Sequence, residues 1–381
     1  MQRTFHSRVP WAIVGGLIWL SLLDFPSITL TPQLDHSWQG VLSYASERGL
    51  QFGRDVVFTY GPLGYLKNQV YASSGLAERL IWEIFFKGIL AALILEIAVR
   101  FPKRPRIGFL ISVVIASRYP QCDTADTLYL LTMTWLVLLA ACGSRRGCGM
   151  QNIWLVVAPF ILASLALIKF TFLLFAGVNV ASLAIHFFSC GRRRAALLVV
   201  GSFVLTFLLG WLLAGQGIEN LWPYVKFSAE ISHGYAYAMG IGARPAVFWL
   251  AIVACSLLVA STLCSAFPRA GRANSLGLLL TILAVIFLAW KEGFVRADIH
   301  VVYTFTCYWL LAASLPAFFQ APAKLRPVVG WSTFLVIPLC FLGLCFGKPA
   351  FAVENVFAVV SRFDDNTTVL LDFPGYRRAM E

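Results

Sequence analysis

Charged residues are scarce in this chain: they make up 13% of its 381 residues, whereas hydrophobic residues make up 59%. A soluble domain has about a quarter of its residues charged, so the composition excludes a chain that is soluble throughout. Apolar stretches of about 20 residues recur along the whole sequence, and the mean hydropathy is +0.77. In hydrocarbon, backbone polar groups must pair internally, and the alternation of a membrane barrel is missing here. The sequence therefore predicts an all-α fold, a polytopic integral membrane protein.

Acidic residues are missing from every second loop. The loops on one side carry many Arg and Lys but no Asp or Glu, and the other side holds nearly every acid. By the positive-inside rule, the N-terminus is cytoplasmic and the C-terminus lies outside. The net charge of +12 is then mainly a topology signal, and no nucleic-acid partner is expected. We predict about eleven transmembrane helices, at about 10–30, 79–99, 107–117, 127–143, 150–168, 170–189, 195–214, 246–266, 275–290, 301–320 and 328–346.

The short stretch 107–117 leaves one alternative open. It could pair with 127–143 as a re-entrant hairpin, which would remove two spans and leave the sidedness of the other helices unchanged.

A soluble domain and a low-complexity linker are also missing. The sequence divides into a transmembrane domain, 1–346, and a short extracytoplasmic tail, 347–381; the longest outer segment is loop one, 31–78. Of the nine cysteines only Cys122 falls in an outer loop, which excludes an extracellular disulfide framework. Because the cytoplasmic loops are only a few residues long, we expect any chemistry at the outer face.

Outer loop one opens with "LDHSWQGVLSYA", residues 34–45. Ser37 is a candidate N-cap, and Trp38 shares one helical stripe with the apolar residues that follow, which predicts a short helix lying in the membrane interface. An acid at the membrane edge, Asp35, is not explained by an ordinary connector.

Histidines and acids recur together in the outer segments. His36 follows Asp35, and His300 stands two residues after Asp298. Histidine with carboxylate suits a divalent metal or a proton relay, and Asp126 is a candidate second acid. The alternative is that these are unrelated interface histidines.

Cations lie beside several outer helix ends, among them Arg54, Lys169 and Arg296. Lys169 divides a long apolar run into two helices. It could merely mark the turn, or it could place a cation at head-group depth to meet a lipid phosphate.

Three segments, in this order, resemble glycosyltransferases of the GT-C superfamily, in particular the family-39 type and relatives of the protein O-mannosyltransferases. The first is "GLQFGRDVVFTYGPLGYL" after the interfacial helix. The second is "SRYPQCDTADTLYLLTMTWLVLLA", in which Asp126 opens a helix. The third is "ASLALIKFTFLLF", which carries Lys169. Each motif alone is loose, and the resemblance rests on their order and their consistent sidedness.

The resemblance implies an inverting transfer of sugar from a polyprenyl-phosphate donor to an acceptor hydroxyl, at the outer face of a bacterial plasma membrane. Asp35 would be the general base. Lys169, Arg296 and Arg54 would bind the lipid phosphate, and a metal held by Asp126, His36 and His300 is an open alternative.

The sequence departs from this family in two ways. The O-mannosyltransferases have paired acids where this chain has Asp35-His36, and many relatives have a soluble outer domain after the last helices. Two other functions stay open: a transporter or flippase with a relay of Glu83, Lys87 and Glu96, and a non-catalytic assembly subunit. The sugar, the acceptor and any metal are not determined by the sequence.

Overall fold

The computed structural model describes residues 8–117, 124–143, 151–266, 272–319, 322–347 and 351–381, and within these ranges the protein is built from α-helices, short 3₁₀ turns and isolated β-bridges. The helices are α1 Arg8–Leu22, α2 Leu34–Glu47, α3 Leu76–Ala98, α4 Lys103–Ala116, α5 Ala125–Gly143, α6 Gln151–Ala166, α7 Phe170–Ser189, α8 Arg193–Leu213, α9 Leu221–Met239, α10 Pro245–Ala266, α11 Arg272–Phe294, α12 Val301–Ser314, α13 Arg326–Gly347, α14 Phe351–Leu371 and α15 Phe373–Met380.

Each of the eleven predicted spans has a helix at its place. Helix α2 is the predicted helix of loop one, but its N-cap is Gln33, so the predicted N-cap, Ser37, lies inside the helix. By length and apolar composition, six helices within the described ranges can cross a membrane: α5, α7, α8, α10, α11 and α13. The chain is thus a helical protein with membrane-spanning segments. The count of eleven and the cytoplasmic N-terminus stay predictions.

The first helix is shorter than predicted, because α1 ends at Leu22 and not near residue 30. Pro26 has no N–H to continue the helix and disfavours helical geometry at Phe25. Beyond it the chain is extended, and Ile28 forms a bridge with Val70.

Helix α5 lies at the centre of the bundle. It is buried along nearly its whole length and packs against α3, α6, α7, α11 and α12. Its first turn lies at the same end as the turn between α6 and α7 and the end of α11; we call this the outer end, because the predicted topology faces it outward. The opposite, basic end carries Arg100, Lys103, Arg104, Arg106, Arg192, Arg193, Arg194, Lys324 and Arg326.

Helix α3 buries two cations that share one carboxylate. Glu83 and Lys87 form an ion pair, with 3.6 Å between Lys87 Nζ and Glu83 Oε1. Arg79, one turn earlier, binds Glu83 more closely at 2.8 Å. Glu83 Oε1 also accepts the backbone N–H of Asp24 (2.8 Å), so this carboxylate holds the end of α1 against α3.

The predicted tail is folded into two helices. Asn366 of α14 donates to the carbonyls of Leu20 and Leu23 (2.8 and 2.9 Å), and Arg362 pairs with Asp24 at 2.5 Å. Segment 347–381 had no predicted helix because its apolar residues are interrupted by Asp, Asn and Thr. Here α14 packs against α1 and α4, so its polar residues make contacts that hydropathy does not detect.

Candidate functional site

Outer loop one is docked onto the turn that joins α6 to α7. Three backbone hydrogen bonds hold it there: Gly61 N–H to Ile168 O (2.9 Å), Leu63 N–H to Leu167 O (3.1 Å) and Phe170 N–H to Thr59 O (2.7 Å). Tyr60 and Lys169 form an antiparallel bridge between them. A Cβ at Gly61 would collide with the Leu167 carbonyl, so the close approach requires glycine there. Loop one therefore brings its own side chains to Lys169.

Four charged side chains meet at this point, and we call them the charged cluster: Lys67, Asp126, Lys169 and Glu292. Both ammonium groups bind the same carboxylate. Lys67 Nζ lies 2.8 Å from Asp126 Oδ1, and Lys169 Nζ lies 2.5 Å from Asp126 Oδ2. Lys169 also reaches Glu292 Oε1, at the longer distance of 3.4 Å. Two cations and two carboxyl groups from four separate segments thus share one site.

The charged cluster is largely shielded from water. The side chain of Asp126 is 6% exposed and that of Lys169 is 17% exposed. Burial lowers the pKa of Lys169, but Asp126 and the other acidic neighbours, Tyr60 and Glu292, together outweigh it and raise the pKa above the ordinary lysine value. Lys169 therefore stays an ammonium across the physiological pH range, as a cation for binding phosphate must.

An aromatic group connects the charged cluster to the interfacial helix. The Lys67 and Lys169 ammonium groups lie 5.8 and 5.5 Å from the centre of the Tyr60 ring. That ring stacks on Trp38 of α2, with 4.7 Å between centroids. Trp38 in turn donates its indole N–H to Asp35 Oδ1 at 3.1 Å. Asp35 itself is exposed, so it stands at the rim of the arrangement while Asp126 lies inside it.

A second polar group, Arg296 with Asp298 and His300, follows the end of α11. Arg296 Nε donates to Asp298 Oδ2 (2.8 Å), and Asp298 Oδ1 pairs with the His300 ring. The hydrogen bond to Asp298 raises the pKa of Arg296, and the negative charge of Asp35 adds to this rise. Arg296 is thus a cation whose direct partner in this group is Asp298.

The remaining predicted site residues have other partners. Arg54 is 63% exposed and pairs with its neighbour Asp55 at 3.0 Å. His36 shares a hydrogen bond with the hydroxyl of Thr31 (2.6 Å). The structure therefore joins Asp126 to Lys169, and His300 to Arg296 through Asp298, but it gives Arg54 and His36 separate local roles.

A divalent metal has no evident place here. Among the residues that the structure describes, no group of three or more His, Cys, Asp and Glu is arranged to hold an ion. Asp126, the most buried candidate ligand, has one ammonium on each oxygen. The side chains present fit a site in which lysines supply the positive charge.

Lys67, Glu292 and Tyr60 were missed as site residues. Glu292 adjoins Lys291 at the end of an apolar run, a placement typical of a topology charge. Lys67 and Tyr60 lie on either side of Gly61-Pro62, a dipeptide typical of a turn. No pattern in the sequence states which helix end such a turn will contact.

Comparisons of the chain with protein-family models, with curated proteins and with solved structures gave no match.

Proposed function

We propose that this protein is a membrane-embedded glycosyltransferase of the GT-C type, which transfers a sugar from a polyprenyl-phosphate donor to an acceptor hydroxyl at the outer face. One observation carries the proposal: outer loop one, with Asp35 on α2, is docked on the Lys169 turn beside Asp126. The segments that carry the resemblance are distant in the sequence, and their convergence supports a common role.

The charged cluster supports the binding of a lipid phosphate. Lys169 is held on one side by Asp126 at 2.5 Å and touches Glu292 only at 3.4 Å. An incoming phosphate can take the place of Glu292 on Lys169, because the longer ion pair is the weaker one. The charge that develops on the leaving phosphate is then stabilised by ammonium groups that are already oriented.

The position of Asp35 supports a general base. Trp38 occupies its Oδ1, and within the described chain no hydrogen bond reaches its Oδ2. Oδ2 takes the proton of the acceptor hydroxyl while the acceptor oxygen attacks the anomeric carbon. The bond from that carbon to the phosphate oxygen breaks, polyprenyl phosphate leaves with the bonding electrons, and the configuration inverts.

The transporter alternative depends on buried charges that could move protons or a solute. Glu83, its central residue, is bound by Arg79 and Lys87, and Glu96 is paired with Arg100 at 3.5 Å. This local ion pairing favours a structural role for the charges of α3.

The experiment that tests the proposal compares Asp35→Asn with Glu47→Gln, an exposed acid at the other end of the same helix. Both variants are purified and assayed for transfer from polyprenyl-phosphate sugars to candidate hydroxyl acceptors. A general base contributes about 10²- to 10⁴-fold, so Asp35→Asn should lose that factor in turnover while its affinity for donor is nearly unchanged. Glu47→Gln should match the wild type.

Lys169→Ala should differ in kind, because it removes a phosphate ligand. Donor affinity should fall and the remaining binding should depend less on salt, whereas Lys226→Ala, an exposed lysine on α9, should have no effect. If Asp35→Asn transfers sugar at the wild-type rate, the glycosyltransferase proposal is wrong and the transporter alternative is favoured.

A further inference from the structure

A cavity lies at the basic end of the bundle, away from the charged cluster. It has a volume of about 350 Å³ and is lined by α10, α13 and the turn after α12. Its polar lining consists of Ser261, Thr262, Ser265, Thr333 and Arg326. The proposed transfer reaction uses none of these residues.

Three of the hydroxyl groups can accept hydrogen bonds from a ligand in the cavity. Ser261 and Thr262 both donate to the carbonyl of Leu258 (3.0 and 2.7 Å), and Ser265 donates to that of Ser261 (2.7 Å). A hydroxyl whose proton is used in this way can still accept through its lone pairs. These side chains are at most 5% exposed, so they form a built wall that suits a ligand with O–H or N–H donors.

The mouth of the cavity offers positive charge. Arg326 is the first residue of α13 and is exposed, and its guanidinium has no ion pair within the described ranges. Thr333, about two turns further along α13, is 8% exposed, and its hydroxyl makes no hydrogen bond in the described part of the chain. The site can therefore bind an anion at its mouth and hydroxyl groups further in.

The surroundings indicate that such a ligand is a lipid. A volume of 350 Å³ is at the small end of ligand sites, which run from about 300 to 1,000 Å³, and it suits a head group. Next to the cavity, α13 exposes Val328, Trp331 and Phe334, each at least 60% exposed, which is a surface for acyl chains. The tryptophan lies one to two turns from the helix start, where indole rings meet head groups.

We propose that this cavity binds the head group of an anionic phospholipid whose phosphate pairs with Arg326 and whose hydroxyl groups donate to the α10 hydroxyl wall. Phosphatidylglycerol has this chemistry. Phosphatidylcholine carries the same phosphate but no donor in its head group, so it is the matched control lipid.

The test uses the full chain purified in detergent and titrated with each lipid. Bound lipid is counted by native mass spectrometry, and the melting temperature is followed by tryptophan fluorescence. Phosphatidylglycerol should be retained and should raise the melting temperature to a saturating value, as a ligand of the folded state does. Phosphatidylcholine should do neither. Equal effects of the two lipids would overturn the proposal.

Two variants locate the site, and a third controls for charge. Arg326→Gln should weaken retention of phosphatidylglycerol about tenfold, the usual value of a charged hydrogen bond. Thr333→Val keeps the volume and should weaken retention less. Arg104→Gln removes an exposed arginine from the first turn of α4 at the same basic end, and it should bind like the wild type. Wild-type retention by both Arg326→Gln and Thr333→Val would reject the cavity as the site.

A last arm distinguishes a lipid from a soluble phosphate ester. Glycerophosphoglycerol, the deacylated head group, should bind at least about a hundredfold more weakly, because burial of acyl CH₂ groups on α13 is lost. Equal binding of the soluble ester would reject a lipid ligand. Because neither readout involves sugar transfer, this inference stands or fails separately from the proposed function.

Discussion

Tyr60 and Lys169 are joined through both backbone and side chain. Their backbones form an antiparallel bridge, and the Lys169 ammonium lies 5.5 Å from the centre of the Tyr60 ring. The same ring stacks on Trp38, whose indole N–H binds Asp35. Tyr60 is therefore the physical link between the proposed base and the lysines of the charged cluster.

Two replacements of Tyr60 should distinguish the contribution of its ring from that of its hydroxyl. Tyr60→Phe keeps the stacking on Trp38 and loses the hydroxyl, which accepts a long hydrogen bond from Lys67 (3.4 Å), so its cost should be about 1 kcal/mol. Tyr60→Ala removes a buried ring and should cost about 3–5 kcal/mol of unfolding free energy and undock loop one. Thermal unfolding and protease sensitivity of residues 49–66 measure this. Tyr237→Ala, at a position 98% exposed, is the control.

Asp126 should be the most sensitive residue of the charged cluster. Asp126→Asn leaves two buried ammonium groups without their shared carboxylate, and breaking a buried pair in this way costs about 3–5 kcal/mol. Asp364→Asn, an exposed acid on α14, should have no effect. The double variant Asp126→Asn with Lys67→Met should recover part of the loss, because it removes one uncompensated cation. A wild-type melting temperature for Asp126→Asn alone would contradict the geometry.

The group around Asp298 should make loop 295–300 sensitive to acid. Burial raises the pKa of Asp298, but hydrogen bonds from His300 and Arg296 outweigh it and lower the pKa below the ordinary aspartate value. Because the folded pKa is the lower one, this contribution to stability is complete above about pH 4 and is lost as the pH falls through the folded pKa.

The measurement is hydrogen exchange of residues 295–300 between pH 6 and pH 3, with each rate referred to an unstructured peptide. Protection should fall on acidification in the wild type. In Asp298→Asn it should be lower at pH 6 and change less with pH. An acid response of the same size in both proteins would assign the effect to another carboxyl group.

Asn366 begins a glycosylation triplet, yet it should not be modified in the folded protein. Its side chain is 1% exposed and donates to two carbonyls at the end of α1. Expression in a glycosylating cell should give a band whose mobility an endoglycosidase does not change. Asn366→Ala should lower the melting temperature, because it leaves buried carbonyls unpaired at about 1–3 kcal/mol each. Thr368→Ala also removes the triplet, but at an exposed position, and it should leave the melting temperature unchanged.

Hydropathy predicted the spanning helices because a long apolar stretch by itself indicates a helix in hydrocarbon. It also placed Asp126 and Lys169 at helix ends on the outer side. It could not predict Lys67, which reaches Asp126 only because backbone hydrogen bonds dock loop one on the α6–α7 turn. Backbone hydrogen bonds of this kind hardly depend on residue type, so of the residues involved only Gly61 could indicate the contact from the sequence. Helices α9 and α14 were not predicted, because their mixed polar and apolar composition does not match a transmembrane segment.

The two faces of the membrane can be assigned with an impermeant maleimide. Native Cys190 is exposed at the basic end, and Arg54→Cys would place a thiol at a 63% exposed position of loop one. In a Cys122→Ser background, intact cells should label Arg54→Cys, and Cys190 should react only after permeabilisation. In the Cys190→Ser variant, the labelling that appears on permeabilisation should be lost, which shows that it comes from Cys190. Labelling of Cys190 in intact cells, with Arg54→Cys protected, would invert the topology and place the charged cluster on the cytoplasmic side.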